Sequence, residues 1–346
     1  MKNTAVYFLF LVLIAVGCSH DKTERCAFKP DTENIKIDLQ WESLEDSLPA
    51  ITTKEQLTGF LTRHADIREL FLSREDFPSD TTFINERFRK FTNPHIDTLL
   101  METHRVFGDA SKLKQEFTQA FANLKYYYPD FQPPKIKTVI TGFEKDIYVS
   151  DTLVIIGLDY YLGTGAKYKI LNMFEYMARR YHPGFIVPSV MLLYGIDSKY
   201  NKISADDRTM LAEMISYGKA YYFAKQMTPC TPDSVLIGYT SEEINGSRAN
   251  ENLIWSRFIE DQVLFSTSAQ DKQKFIIERP KTLEVGEKCP GRIGQWIGWR
   301  MIESYHENHP DQTLPQIMNN SNAQQMFRES GYKPTVTKVP SRQKNL

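Results

Sequence analysis

Hydrophobic residues recur at helical spacing over residues 53–128. The clearest stripe consists of five residues separated by four, four, three and four positions, which places them on one face of a helix. Ser111 stands at the expected N-cap position, and Pro129 ends the run because proline cannot continue a helix. We therefore predict helices across this region, with a stripe formed by Leu113, Phe117, Phe121, Leu124 and Tyr128.

The pattern changes between residues 135 and 157, where β-branched residues crowd together. Gly142 and Asp151 interrupt this span and divide it into short runs. Runs of Val and Ile bounded by turn residues are typical of strands. We predict a small three-stranded β-meander at 135–157, built on Ile136, Val139, Ile140, Ile147, Val149, Val154, Ile155 and Ile156.

Helical patterns return after the sheet and continue almost to the carboxyl terminus. Ser204 opens a stretch that resembles a capping box, and Pro290 suits the first turn of a helix. The predicted fold class is therefore α+β, mostly helical, with one small sheet. The later helices are expected at 167–181, 185–194, 204–227, 241–265, 291–308 and 321–330.

The amino-terminal residues form a separate apolar segment. One positive charge, at Lys2, precedes an apolar run that ends at Val16, short of the roughly 20 residues that a membrane span needs. The run closes with Ala15-Val16-Gly17-Cys18, which resembles a bacterial lipobox. We predict a signal peptide at residues 1–17 and lipidation of Cys18 after cleavage. The alternative is an ordinary signal peptide followed by a chance cysteine.

The rest of the chain divides by composition into three parts. Residues 18–34 are polar and lack periodicity, which predicts a lipidated flexible tether. Residues 35–334 carry the strand and helix patterns; their length suits one large domain or two, and we predict a single domain. Residues 335–346 form a basic tail that we expect to be disordered.

The charges of the chain nearly cancel, with 43 acidic and 42 basic residues. Proteins that bind nucleic acid usually carry a basic excess, and this sequence has none. We therefore predict no nucleic-acid partner. The expected contact with a membrane is the lipid anchor at Cys18.

Besides Cys18, the chain has three widely spaced cysteines, at positions 26, 230 and 289. Three thiols do not make a disulfide framework, but one bridge can form in an oxidising envelope. We favour Cys230–Cys289, because both residues lie in the predicted body. No C-x-x-C pair is present in the sequence, so cysteine-based zinc or redox chemistry has no support.

The run His306-Glu307-Asn308-His309 is the nearest approach to a metal-binding motif. Its histidines are three apart and Pro310 follows at once, whereas a zinc-binding pair normally stands four apart within a helix. We interpret the run as a helix end, where the helix dipole favours cations. The sequence also lacks the G-x-S-x-G pattern of a nucleophile elbow.

Closely spaced glycines mark the stretch that begins at Cys289. Gly291, Gly294 and Gly298 fall on one helical face, and glycine inside a helix costs about 1 kcal/mol relative to alanine. We predict that this face packs closely on a second smooth face at Gly218, with the two tryptophans beside the contact. The alternative is a groove for a peptide or glycan; the candidate groove or packing residues are Arg292, Trp296, Trp299, Tyr217 and Lys219.

Six motifs, in order and over most of the chain, resemble the gliding-motility lipoprotein GldB family of Bacteroidetes. The resemblance implies an envelope lipoprotein, anchored at Cys18 and facing the periplasm or the cell surface, with the outer membrane as the expected location. It also implies association with envelope proteins of the motility and type IX secretion machinery. The motifs are IGLDYYLG (156–163), LAEMISYGKAYYF (211–223), IGYTSEE (237–243), NENLIW (250–255), PGRIGQWIGWRMIESY (290–305) and SGYKP (330–334).

The resemblance further implies a zincin-like (metallopeptidase-like) arrangement. The metal-binding helix of that layout would fall at residues 187–194, which contain no histidine and no glutamate. In the later helix, Tyr217 occupies the position of the expected glutamate. We therefore predict a pseudoenzyme that needs no cofactor and works as an interaction or assembly component. The alternatives are a cell-envelope hydrolase and a lipoprotein that binds peptides or muropeptides near Trp296 and Trp299.

Overall fold

The computed structural model describes residue 26 and residues 29–334. It combines a small sheet with many helices, which confirms the mostly helical α+β class. The strands are β1 (Trp41–Ser43), β2 (Lys135–Val139), β3 (Ile147–Val149) and β4 (Leu153–Gly157).

The helices begin before the main part of the sheet and continue after it. The first group consists of α1 (Lys54–Arg63), α2 (Asp80–Phe91), α3 (Ile96–Phe107) and α4 (Ser111–Tyr127). The second group consists of α5 (Glu175–Ala178), α6 (Ile186–Ile196), α7 (Met210–Met227), α8 (Asp233–Ile237), α9 (Ser241–Ala249), α10 (Glu251–Glu260), α11 (Ala269–Phe275), α12 (Ile293–Asn308), α13 (Leu314–Asn319) and α14 (Ala323–Ser330).

The four strands form one mixed sheet in the order β1-β2-β4-β3. Strands β1 and β2 pair in parallel, as do β2 and β4, and Ile136 lies opposite Val154. Strand β3 joins the outer edge of β4 in antiparallel register. The predicted meander is therefore wrong in its pairing. The two strands that are buried along most of their length take the centre, and the half-buried β3 takes the edge.

The helical prediction for residues 53–128 is confirmed, as four α-helices, with a π-helical segment at Ile67–Phe71 and a 3-10 turn at Arg74–Asp76 between the first two. The apolar stripe of α4 faces the core. The predicted N-cap is wrong by one position, because Ser111 is the first residue of the helix and Ala110 precedes it as the cap. The predicted helix at 167–181 is wrong, because only Glu175–Ala178 is helical. Leu171 and Phe174 in that stretch are exposed, so helical spacing there has no core face to bury.

Other predicted helices exist with shifted bounds. The helix expected from Ser204 begins at Met210, where the Thr209 side chain accepts a hydrogen bond from the main chain of Ala212. The helix expected at 241–265 is divided at Asn250 into α9 and α10. Pro290 does not open α12, because Arg292 in left-handed conformation precedes its first residue.

Helices α7 and α12 cross at the centre of the fold with their backbones in contact. A Cβ atom added to Gly298 would lie 1.8 Å from the carbonyl oxygen of Met214, and one added to Gly218 would lie 2.2 Å from the carbonyl oxygen of Gly298. The predicted contact is thus confirmed for Gly218 and Gly298. The single three-glycine face is wrong, because Gly291 precedes the helix and Gly291 and Gly294 pack against the main chain of Arg279 and Phe275. The Trp299 ring stacks on Tyr221 beside the crossing, with ring centroids 5.5 Å apart.

One disulfide joins Cys26 to Cys230, next to the carboxyl end of α7. The expected Cys230–Cys289 bridge is therefore wrong. Cys289 is a free thiol that packs beside Pro290 and Thr282, and burial raises its pKa to about 12. Cys230, by contrast, is exposed, within reach of the amino-terminal segment.

Several sequence predictions lie outside the described residues. These are the signal peptide, lipidation of Cys18 and the basic tail at 335–346. Part of the predicted tether is described: Cys26 is bonded to the body, Pro30 is buried, and Gln119 donates a hydrogen bond to the Thr32 hydroxyl. The division at residue 34 stays a prediction.

We expect Gly298→Ala to destabilise the protein by about 2 kcal/mol or more, because the new methyl group meets main-chain atoms that cannot turn aside. Chemical denaturation of the purified protein measures the loss. The matched control is Gly246→Ala in α9, where nothing lies within 4 Å of the added Cβ. That variant should keep or slightly raise the stability. Equal effects of the two substitutions would contradict the role of the crossing.

Candidate functional site

A cavity of about 1030 Å³ lies beside the carboxyl-terminal half of α12. We call it the α12 cavity. Side chains from the ends of α4 and α7, from α8 and α9, and from the segment before α13 complete its wall. Its lining residues are Tyr126, Tyr127, Tyr222, Lys225, Gln226, Asp233, Arg248, Arg300, Glu303, His306, Glu307, Pro310, Asp311, Gln312, Thr313, Leu314 and Pro315.

Tyr222 and His306 are neighbours in the lining of the cavity. The Tyr222 hydroxyl lies 2.7 Å from Nδ1 of His306, and burial lowers the pKa of the imidazole. A neutral imidazole whose Nδ1 accepts a hydrogen bond from the tyrosine hydroxyl fits this geometry. His309 lies apart, against the carbonyl oxygen of Tyr305. Helix α12 ends at Asn308, so the helix-end interpretation of this run holds.

Glu303 is the carboxyl group with the most altered acidity in the cavity. It forms an ion pair with Arg300 on the same helix, and Arg300 also contacts Glu251 with Nε 3.1 Å from Oε1. Burial is the dominant effect and raises the pKa of Glu303 to about 7, because removal from water disfavours the charged form. Near neutral pH this carboxyl can therefore give up or take a proton.

Three further charged residues on this wall, Lys225, Asp233 and Arg248, compensate one another. Lys225 lies 2.9 Å from a carboxylate oxygen of Asp233 and donates to the carbonyl oxygen of Thr231 at 2.7 Å. Arg248 pairs with the other oxygen of Asp233. A cavity with compensated charge and several tyrosines can accept a mixed polar and apolar ligand without an unpaired buried ion.

Arg292, a candidate from the sequence, belongs to a different cluster. Its guanidinium is buried, donating to the Tyr221 hydroxyl at 3.1 Å and to the carbonyl oxygen of Ile237 at 2.6 Å. Glu278 lies 3.3 Å from its Nε atom and also binds Arg180 through both carboxylate oxygens. The cluster holds the start of α12 against α7, and Arg292 is not among the cavity-lining residues.

The other sequence candidates also lie away from the α12 cavity. Trp296 and Trp299 are 1% and 2% exposed, so both rings face the core. Tyr217 is half-buried next to the crossing of α7 and α12. These residues therefore pack in the interior, as the packing alternative expects, and do not line an open groove.

Lys219 is fully buried, with its amine among main-chain carbonyl oxygens. Its Nζ donates to the carbonyl oxygens of Lys202 at 2.7 Å, Met318 at 3.0 Å and Asn320 at 2.9 Å. Burial lowers the pKa of the amine to about 7, while three carbonyl oxygens favour the charged form that fills all three donor positions. This side chain ties the end of α13 to α7.

Sequence reasoning missed most of the α12 cavity. Its polar residues are single positions on separate elements, and only the run at 306–309 drew attention. Arg300 and Glu303 stand three apart, and their spacing was the available signal for a charged pair on one face of α12. In the described part of the chain, no three His, Cys, Asp or Glu side chains converge as a metal-binding group would.

The fold and the cavity define a class: a mainly helical α+β body with a tyrosine-lined cavity beside a tightly packed helix pair. None of the helices within 29–334 combines the length and hydrophobicity that a bilayer crossing requires. A family model described as gliding motility protein GldB matches residues 25–334, and the chain belongs to this family. It is a lipoprotein family related to gliding motility, which confirms the resemblance seen in the motifs. No curated protein and no solved structure matches the chain.

The raised pKa of Glu303 predicts a distinct pH dependence of stability. The folded state holds this proton more tightly than the unfolded state, so ionisation of Glu303 removes stability progressively as the pH rises from about 4.5 to about 7. Glu303→Gln lacks this loss, and its free energy of unfolding should fall less over that interval. Urea denaturation across the interval measures the difference. Glu86→Gln, at an exposed site on α2, should follow the native protein; identical behaviour of both variants would contradict the assignment.

Proposed function

We propose that this protein is an outer-membrane lipoprotein, acylated at Cys18, that binds an envelope protein of the gliding-motility or type IX secretion machinery. Family membership supports the link to motility and to a lipid anchor. The observation that carries the binding role is the α12 cavity, with its ion pairs and its tyrosines. The partner is a protein whose exposed segment enters this cavity.

The composition of the cavity fits a polypeptide ligand. Tyrosine and arginine are enriched among the residues that contribute most to protein interfaces, because they offer large contact areas with polar tips. Tyr126 is 43% exposed at the cavity rim and forms an edge-to-face pair with the half-buried Tyr127. Proline and leucine side chains at 310–315 provide apolar surface in the cavity lining.

The proposed role is contact without catalysis, on a zincin-like arrangement that lacks its metal ligands. Helix α6 lies where the resemblance puts the metal-binding helix, and its residues Ile186–Ile196 include no histidine or glutamate. Tyr217 takes the glutamate position on α7. Both helices are closely packed: a Cβ added to Gly195 would lie 2.7 Å from the carbonyl oxygen of Ala220. These residues support a scaffold interpretation.

Crosslinking and recovery of the protein from envelopes tests the binding role. The double variant Tyr126→Ala, Glu307→Arg alters two partly exposed side chains of the rim, and we expect it to recover the partner about tenfold less well. Phe174→Ala removes a more exposed ring outside the cavity and should recover as much as the native chain. Loss in the Phe174→Ala control, or no loss in the double variant, would refute the cavity as the binding site.

A hydrolase is the second candidate, and Glu303 is the observation that favours it. A carboxyl with a pKa near 7 in a cavity can act as a general acid or base. Our proposal predicts no turnover of peptides or peptidoglycan by the purified protein. Turnover that disappears in Glu303→Gln but persists in Glu307→Gln would replace the binding role with catalysis.

A further inference from the structure

The position of the disulfide relates the body to the membrane, provided that Cys18 carries the lipid proposed above. Cys26 is the eighth residue after Cys18, so an extended chain between them spans at most about 29 Å. A body of about 300 residues is roughly 50 Å across. The span is thus shorter than the body, and the point where it attaches limits which side can face the bilayer.

The attachment point is the carboxyl end of α7. Cys230, which holds Cys26, is the third residue after Met227, the last residue of that helix. Helix α7 is about 26 Å long, from its length of 18 residues. Its opposite end is fixed beside a different part of the fold, where the main chain of Met210 donates to the carbonyl oxygen of Ser266 at 2.8 Å. The two ends of α7 therefore mark a near side and a far side.

The α12 cavity lies on the near side. Tyr222, Lys225 and Gln226, from the last two turns of α7, line it. Asp233, another lining residue, is three residues from Cys230 and so within about 11 Å of it along the chain. Exposed Tyr126 on the rim suits a water–lipid boundary, where tyrosine places its ring in the apolar layer and its hydroxyl in water.

We propose that the Cys26–Cys230 disulfide orients the protein, so that the end of α7 bearing the α12 cavity faces the bilayer to which Cys18 is attached. The bonded cysteine keeps the lipid anchor close to the cavity, and the far end of α7 points away from the membrane. Any partner that enters the cavity is then met at the membrane surface. This proposal rests on the lipid anchor, but it is independent of the partner's identity.

Amide hydrogen exchange of the full-length protein purified from its membrane provides the test. Exchange is compared between vesicles of phosphatidylethanolamine with a minor share of phosphatidylglycerol and detergent micelles. We expect several-fold slower exchange in vesicles at 126–130, 225–235 and 310–315, and no change at 263–268 beside the far end of α7. Equal protection of the two sides, or protection of 263–268 alone, would overturn the proposed orientation.

Two variants separate orientation from folding. A flexible Gly-Ser insertion of about 20 residues after Lys22 lengthens the span while it leaves the disulfide intact, and it should abolish the protection. The same insertion after Thr337, in the carboxyl-terminal tail, is the matched control and should leave it unchanged. Cys26→Ser with Cys230→Ser moves the first fixed point to buried Pro30, which extends the span to about 43 Å and should weaken the protection. Persistence of full protection in the lengthened chain would contradict the proposal.

Mass measurement of the same preparation keeps the two proposals distinct. An acylated chain without sided protection refutes the orientation alone and leaves the lipoprotein assignment in place. A chain without acyl groups at Cys18 refutes the lipid anchor, and the orientation falls with it. Unchanged melting temperatures of the insertion variants show that the body itself remains folded.

Discussion

The close contact between α7 and α12 is the constraint on which the rest of the structure depends. Two glycines allow the helix backbones to meet, and no side chain could stand between them at that point. The crossing therefore fixes the relative position of the two longest late helices. It explains why a helix tolerates glycines that each cost about 1 kcal/mol in an isolated helix.

Buried polar groups attach the surrounding segments to the crossed helices. Lys219, one residue from Gly218, reaches three main-chain carbonyl oxygens, and Arg292 joins α12 to the end of α8. Near the sheet, buried Asp159 accepts a hydrogen bond from the main chain of Phe143 at 2.7 Å, and burial raises its pKa to about 6. Such groups are costly when unpaired, so they specify one arrangement of the loops around the helices.

The sequence predicted features that depend on local spacing. The stripe of α4 and the smooth faces at Gly218 and Gly298 were recognisable because helical periodicity places their residues together. The pairing of β2 with β4 was not, since alternation and β-branching show that a strand exists without identifying its neighbour. The helix predicted at 167–181 was wrong for a related reason. Its apolar residues at 171 and 174 are exposed, and spacing alone cannot show whether a face meets the core.

The cysteine pairing and the α12 cavity could not be predicted from the sequence, for a different reason. Both depend on residues distant along the chain that the tertiary fold brings together, as Cys26 and Cys230 show with 204 residues between them. Candidates such as Arg292 and Trp299 were conspicuous because they flank the glycines, and the same closeness commits them to packing. The residues left for recognition come from the carboxyl-terminal half of α12, from the ends of other helices and from the segment before α13. Side chains there can change without disturbing the crossing, so the fold can keep its core while the cavity is fitted to a partner.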